Sequence, residues 1–496
     1  MSIPSYNILI ALLLFLILQP TVYGQDYIRL SEAQERKNTD RTYSLIHFDS
    51  SSYAVMRYDK KFELAETEVY DHQLKHLNTF ATTDKTRKYG GVINLFGQMF
   101  MLYSRFYENK EKKCYEDVSL YAIGIRSDSF LLTKDSIALI EPFDMKSNFY
   151  RGNFSLSPDH SKLLVYDFEE DGDIDEVRGL TNEITLRVFD KDFKLLWKRK
   201  INLAPNPSGK RVMAIKKLRV NNAGEVAIMT DFFRNHRSYS IKEVTADPTL
   251  FFVGADPKNF TRFTPNLGDL FFNEIDFTFD HEGNLVWFGF YSNYKYYQQA
   301  GYFYIKINAD RTRVLQKKIE PFNEDLLKAL LHRKKLPRKP ELRNFNLINF
   351  RLTANGDLVI SAEYQPYGIN YTKSHDILVM RLAPSGELHW AKHIYKFNNY
   401  PESLAPFLSH YMYVKGDDVY LLFNQGIYND GKAIALKLDA AGTILKKEIF
   451  SYLSKEEVIC PSLSYALPNG KVFLSLQSRF FKFYRFGLLD LEKLFE

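Results

Sequence analysis

NFRLTANGDLVISAEY (residues 349–364) reads as a strand, a two-residue turn at Asn355-Gly356 and a second strand. Apolar and polar residues alternate with period two on both sides of the turn, which marks strands rather than helix. An Asn-Gly pair supplies the positive φ that a tight hairpin turn requires. The same phrase recurs in KLRVNNAGEVAIMTDF (217–232), DFTFDHEGNLVWFGFY (276–291), HYMYVKGDDVYLLFN (410–424) and SYALPNGKVFLSLQS (464–478). The turn glycines Gly224, Gly283, Gly356, Gly416 and Gly470 are separated by 59, 73, 60 and 54 residues.

After each of these hairpins comes a loop of variable length and then a second hairpin: ITLRVFDKDFKLLWKRKI (184–201), YFYIKINADRTRVLQKKI (302–319), DILVMRLAPSGELHWAKHI (376–394) and AIALKLDAAGTILKKEI (433–449). Four antiparallel strands per repeat, many repeats and almost no helix describe an all-β fold, a β-propeller in which each blade buries its faces against its neighbours. First hairpins fall at about 92–107, 154–168, 216–233, 274–291, 348–364, 410–424 and 463–478. Second hairpins fall near 53–70, 118–140, 184–201, 239–253, 302–319, 376–394 and 432–450. The expectation is seven four-stranded blades, with the closing blade built from an N-terminal second hairpin and a C-terminal first one, so that no edge is left open. Eight blades are the alternative, because YSLIHF (43–48) and FKFYRFGLL (481–489) can supply further strands.

The repeat resembles the β-propeller superfamily along essentially the whole chain, and no single propeller family's signature is complete. The second hairpins are similar to the docking repeats of quinoprotein dehydrogenases, in which a turn glycine precedes a tryptophan that packs between blades. Trp197 and Trp390 fit that pattern, while Gln316 and Lys446 stand at the equivalent places. This resemblance supports the fold far more than the cofactor, and no cofactor is expected. TFDHEGNLVW (278–287) comes near a sialidase Asp-box, but Asp280 and Gly283 stand one residue too far apart.

Eleven apolar residues from Ile8 to Leu18, stopped by Pro20 and followed by the small Gly24, read as a signal peptide over residues 1–24. The run is too short to cross a bilayer as a helix, which takes roughly 20 residues. The expectation is export to the periplasm, cell surface or exterior, with residues 25–496 as one propeller domain. The formal net charge of +6 is mild, so local clusters matter more than the total. Forty Phe and 33 Tyr suit strands that bury aromatic side chains. With two cysteines, disulfides do not hold the fold together.

In an up-and-down blade the turns within both hairpins share one face, and the loops between hairpins and between blades share the other. The tight turns, such as Asn355-Gly356, Ser385-Gly386 and Asn469-Gly470, belong to the first set and the long insertions to the second. Recognition is therefore expected on the loop-rich face. Tyr291, Tyr294, Tyr296 and Tyr297, echoed by Tyr364, Tyr367 and Tyr371, are the candidate ligand-binding residues there. They suit stacking on sugars or binding a peptide, or else they pack between blades. A helical insertion at about 322–343 has Asn323 as its cap, Leu326, Leu327, Leu330 and Leu331 as an apolar face, and Arg333, Lys334, Lys335, Arg338 and Lys339 as a basic patch. That patch reads as a contact for an anionic glycan or lipid surface, or as a solvated helix end. DFEEDGDIDE (167–176) spaces Asp171, Asp173 and Asp175 as calcium loops do, but lacks the glycine and the bidentate glutamate. It reads as a solvated acidic loop, and no metal is expected. Cys114 and Cys460 fall on the same face near the ring closure, where a bridge would contribute at most about 5 kcal/mol.

Neither H-E-x-x-H, G-x-S-x-G, P-loop nor G-x-G-x-x-G occurs. His389 and His393 lie on an expected strand, where an i, i+4 pair does not converge as it does on a helix. The sequence therefore points to a non-catalytic binding or assembly scaffold for a glycan, peptide or partner protein, without nucleic acid. The alternative is a carbohydrate-active hydrolase or lyase whose carboxylates come from different blades.

Overall fold

The computed structural model describes the chain from Tyr27 to Glu496 except residues 36–41, 48–51, 59–63, 82–87, 96–97, 110–113, 127–131, 146–152, 169–182, 204–211, 234–247, 266, 269, 294–297, 367–370, 402–406, 428–430, 452–456, 468 and 479–482. The described strands form a β-propeller of antiparallel blades. Blade 1 consists of Thr42–His47, Ser52–Tyr58, Leu64–Asp71 and His76–Ala81, and blade 2 of Lys88–Leu95, Gln98–Asn109, Cys114–Ile125 and Leu132–Met145. Blade 3 is Asn153–Leu156, Leu163–Phe168, Glu183–Phe189 and Leu195–Asn202; blade 4 is Val212–Val220, Val226–Phe233, Thr249–Val253 and Phe260–Phe263. Blade 5 is Phe271–Phe279, Leu285–Ser292, Gly301–Ile307 and Val314–Pro321; blade 6 is Phe345–Leu352, Leu358–Tyr364, Tyr371–Leu382 and Leu388–Pro401. Blade 7 is His410–Lys415, Asp418–Gln425, Lys432–Leu438 and Ile444–Ser451.

Blade 8 corrects the expected count of seven. Its inner strand is split into Val458–Ile459 and Tyr465–Ala466, which pair Lys471–Gln477; Phe483–Asp490 follows, and the outer position is taken by Ile28–Leu30 and Gln34–Glu35. Three strand positions thus come from the C-terminus and one from the N-terminus. Residues 53–70, read from sequence as a second hairpin, are the middle two strands of blade 1. Thr42–His47 and His76–Ala81 complete that blade. Alternation marks a strand but not its place within a blade, so the hairpins at the chain ends were paired one position out of step. The second hairpin of blade 4 is likewise 249–263, not 239–253.

Successive residues of one strand face opposite neighbours, and this closes the ring. Ala54 and Met56 of blade 1 pack on Met101 and Tyr103 of blade 2, while Tyr53 and Tyr70 pack on Phe473 and Phe486 of blade 8. Leu163 and Val165 face blade 2, but Leu164 faces blade 4; Ala227 faces blade 5, but Ile228 faces blade 3. Ile360 and Met380 meet Phe288 and Tyr302 of blade 5, whereas Val359 and Val379 meet Leu421 and Leu436 of blade 7. Leu422 and Ala435 meet Leu474 and Leu489 of blade 8. Central strands are therefore apolar on both faces, as sheets covered on both sides require.

The opening hairpin is a three-residue turn rather than a two-residue one. The Thr353 N–H donates to the Asp357 carbonyl at 2.8 Å, and the Gly356 N–H to the Thr353 carbonyl at 3.0 Å. Gly356 takes the left-handed position at φ +82°, the bulge that follows a type I turn. In the sister turns an Asp or Asn at the first position accepts two turn N–H groups, as Asp280 does from Glu282 and Asn284 and Asn221 does from Ala223 and Glu225. Asp280, the residue of the near Asp-box, is such a cap. Trp197 and Trp390 pack between blades as their resemblance implies: their indole N–H groups donate to the Gly224 carbonyl at 3.1 Å and the Ala440 carbonyl at 3.0 Å.

Among the described residues two short α-helices accompany the strands. Helix α1 (Glu324–Leu330) is the expected insertion, capped by Asn323, whose Oδ1 accepts from the Leu326 N–H at 2.8 Å. Helix α2 (Leu491–Phe495), which the sequence reading lacked, seats Leu491 and Leu494 in the core between blades 7 and 8. Among the described residues no helix is long and apolar enough to cross a membrane.

Candidate functional site

The insertion between blades 5 and 6 lies on the loop-rich side, because it joins the last strand of one blade to the first of the next. Both of its ends are tied down. The Phe322 N–H donates to the Ala300 carbonyl, and Gln298–Gln299 form a short ladder with Leu342–Arg343. Glu341 accepts from the Ser292 hydroxyl at 2.9 Å and the Asn293 N–H at 3.1 Å. Leu326, Leu327 and Leu330 of α1 are buried among Phe290, Phe322 and Leu342, and α1 packs against the outer strand of blade 6. Beyond it Arg333, Lys334, Lys335, Arg338 and Lys339 are all exposed, so the apolar face is covered and the charged end is presented to solvent.

Helix α1 ends in a Schellman arrangement: the His332 N–H donates to the Ala329 carbonyl and the Arg333 N–H to the Lys328 carbonyl. The left-handed position usually held by glycine is His332, at φ +51°. The turn aims its imidazole at blade 6, where His332 Nε2 lies 2.5 Å from Asp376 Oδ2. Asp376 stands at a bulge, opposite Tyr395 and Lys396 where the register shifts. On the neighbouring strand His393 Nε2 lies 3.1 Å from Asp376 Oδ1. Burial pushes the Asp376 carboxyl up, but the two imidazoles outweigh it and hold the group below its usual range.

Above His393 the same strand presents Tyr395 and Phe397, 55% and 52% exposed, while the alternate residues Ile394, Lys396 and Asn398 are buried. His332 sits edge-on to both His393 and Tyr395, with centroids 5.5 and 6.2 Å apart. A second aromatic run climbs from the core: Phe345 to Tyr364 at 5.7 Å, Tyr364 to His375 at 5.8 Å and His375 to Phe397 at 4.4 Å. The result is a surface of two open rings over packed aromatics, reached by His332, from which the exposed cations of residues 333–339 continue along the chain.

The sequence-derived candidates distribute unevenly over it. Tyr291 is not a loop residue: it lies in a strand buried along its whole length between blades and is 6% exposed. Tyr364 ends a strand, half-buried, as a rung of the aromatic run. Tyr371 opens the third strand of blade 6 opposite Pro401, its side chain outside those described; Tyr294, Tyr296, Tyr297 and Tyr367 lie outside the described residues, as do Asp171, Asp173, Asp175 and residues 1–24. Cys460 is buried at the start of blade 8; Cys114 begins a strand of blade 2, its side chain outside those described, and blade 1 stands between the two blades. Tyr395, Phe397 and the His332–Asp376–His393 cluster escaped the sequence reading. The available signal was the length of the 371–382 and 388–401 strands, which outrun the other second hairpins of blades 3 to 7.

A second polar constellation on blade 6 has the look of catalytic machinery. Glu363 Oε2 lies 2.6 Å from His410 Nδ1, and His410 Nε2 lies 2.7 Å from Ser361 Oγ. A carboxylate only accepts, so Nδ1 carries the proton and Nε2 is left to accept from the serine hydroxyl, the arrangement that activates a nucleophile. Yet Ser361 and Glu363 are 0% exposed, and the Lys396 ammonium sits 2.9 Å from Glu363 Oε1, also donating to the Leu408 carbonyl. Burial pushes Glu363 up, but Lys396 and His410 overcome it and hold its pKa at about 2. Burial lowers the pKa of His410. The serine hydroxyl is sealed from solvent, and the network joins blades 6 and 7.

No protein-family model and no curated protein sequence matches the chain. Among solved structures it is similar to a eukaryotic initiation factor (TM-score 0.41, 8% identity, covering 92% of this chain and 90% of that one). It is also similar to prolyl oligopeptidase B from Galerina marginata bound to a 25mer macrocyclization substrate (0.41, 9% identity, 92% and 56%). A Pyrococcus horikoshii acylaminoacyl peptidase is a further match (0.35, 8% identity, 92% and 58%). The chain thus spans little more than half the length of either peptidase, and the likeness is one of fold.

Proposed function

We propose that this protein is an exported, non-catalytic β-propeller scaffold that recognises an anionic glycan or acidic peptide through the blade 5–6 sector of its loop-rich face. The observation that carries the reading is the pair of half-exposed rings, Tyr395 and Phe397, the first of them in contact with His332, which opens the exposed basic stretch Arg333, Lys334, Lys335, Arg338 and Lys339 of a tethered insertion. Aromatic faces stack on sugars or peptide side chains at small entropic cost. Each cation adds up to about 1 kcal/mol at a charged surface, in a salt-dependent way. The sealing of the Ser361–His410–Glu363 relay supports binding over turnover.

The test is a screen of arrayed glycans, anionic polysaccharides and acidic peptides that scores binding and depolymerisation together. Saturable, salt-sensitive binding without turnover, lost on R333E/K334E/K335E and on Y395A/F397A, is the expected outcome. Turnover by the wild-type protein overturns the non-catalytic reading. N-terminal sequencing of the secreted chain checks export: a mature start at Gln25 is expected.

A further inference from the structure

We infer that His332, Asp376 and His393 form a binding site for a divalent first-row transition-metal ion of the zinc class, which clips the basic insertion to the outer edge of blade 6. One ligand atom from each of the three lies within 4.8 Å of the others. The donor set is two imidazoles and one carboxylate, which suits zinc and its neighbours; calcium and magnesium ask for oxygen ligands throughout. Three ligands with a fourth position toward solvent is the arrangement of an open zinc site.

Three features favour this reading over a plain ion pair. His393 Nε2 is buried and, despite lying 3.1 Å from the Asp376 oxygen, makes no well-directed hydrogen bond and has no other hydrogen-bond partner. Asp376 is nine-tenths buried and pinned at a bulge, and an imidazole flanks each of its oxygens. His332 holds a left-handed backbone position that favours glycine, and from it the ring meets Asp376 on the sheet. Asp376 and His393 lie on paired strands of one hairpin and His332 on the insertion, so the metal would tie the insertion to that hairpin. Entry of the ion releases to solvent the proton of the His332–Asp376 hydrogen bond, with carboxylate-to-imidazole distances opening to about 3.3 Å, as bonds of about 2.0–2.2 Å to a tetrahedral centre require. His332 is 55% exposed, which leaves the outward position to water or to a donor on a bound molecule.

The inference does not depend on the proposed glycan or peptide surface, since its readout is the metal itself. Purified full-length protein, stripped with chelator, is titrated with Zn²⁺ against a chromophoric competitor and separately with Co²⁺, whose visible absorption reports nitrogen ligation. The variants are H332G, D376N and H393A. H332G is the decisive one, because glycine fits the left-handed position and the variant keeps its fold. One saturable equivalent of Zn²⁺ and a Co²⁺ band are expected in the wild type. At least a tenfold loss of affinity and disappearance of the band are expected in H332G and H393A. No saturable equivalent in the wild type, or equal binding by wild type and H332G, overturns the site.

Discussion

Two carboxylates of blade 6 each meet a histidine from outside it, at nearly the same distance and in opposite circumstance. His410 and Glu363 lie 2.6 Å apart, sealed at the joint with blade 7; His332 and Asp376 lie 2.5 Å apart at the outer edge, with the imidazole more than half exposed. The sealed pair is completed by Lys396, Ser374 and Ser361, so nearly every lone pair and proton has a partner. The edge pair is completed on one side only, by a histidine whose Nε2 is poorly satisfied. Similar groups at similar distances therefore do different work. Where the low-dielectric joint excludes water, the network specifies how two blades meet; where solvent enters, the same donors are free to exchange a proton for a ligand.

The strongest way to break that comparison is Glu363→Ala. It strands the Lys396 ammonium in the joint, and removing one partner of a buried pair costs about 3–5 kcal/mol. Urea denaturation should show the loss, and a cost under about 1 kcal/mol would show that the joint is not sealed.

Acid should act on the joint in two stages. His410 has a lowered folded pKa, so below its unfolded value near 6.5 the unfolded chain takes up a proton that the native one refuses. Glu363 is held at about 2 and Asp376 is also lowered, so both add stability above the unfolded carboxylate range that is lost as pH falls from about 4.5 toward 2. Urea midpoints measured from pH 8 to 3 should fall first below 6.5 and again below 4.5. A midpoint flat across both windows would contradict the assignments.

At the open surface, Y395A/F397A should weaken ligand binding by about 10- to 30-fold, the cost of losing roughly 1.4–2 kcal/mol of stacking, while global stability moves by no more than about 0.5 kcal/mol. Calorimetric titration paired with thermal melts separates the two. The smallest effect belongs to H332G in metal-free protein. Loss of one hydrogen bond from a half-exposed imidazole and relief of the left-handed strain nearly cancel, leaving a change within about 1 kcal/mol. A melt that moved by several times that amount would place His332 in the structural network instead.

The repeated hairpin, the glycines at its turns, the inter-blade tryptophans, the capped helix and the exposed basic segment could all be read from residues close together in the chain. Asn323 caps three residues away, Gly356 turns four residues after Leu352, and period-two alternation needs only its own strand. Local rules suffice where the interacting groups are local. The eighth blade was legible only as the alternative to seven, through residues 43–48 and 481–489, which overlap the strands Thr42–His47 and Phe483–Asp490; its closure was not, because the outer strand at Ile28–Leu30 finds its partner some 460 residues along the chain at Gly487–Leu489. Nor was the site. His332 and Asp376 stand 44 residues apart, and only the packing of α1 on blade 6 and a one-residue bulge bring their side chains to one point. The burial that separates Ser361 from Tyr395, one sealed and one open on the same sheet, is a property of neighbouring blades. The sequence by itself determined the units and their punctuation; the tertiary structure decided how many units close the ring and which polar groups meet water, because both depend on contacts between chain segments that share no local pattern.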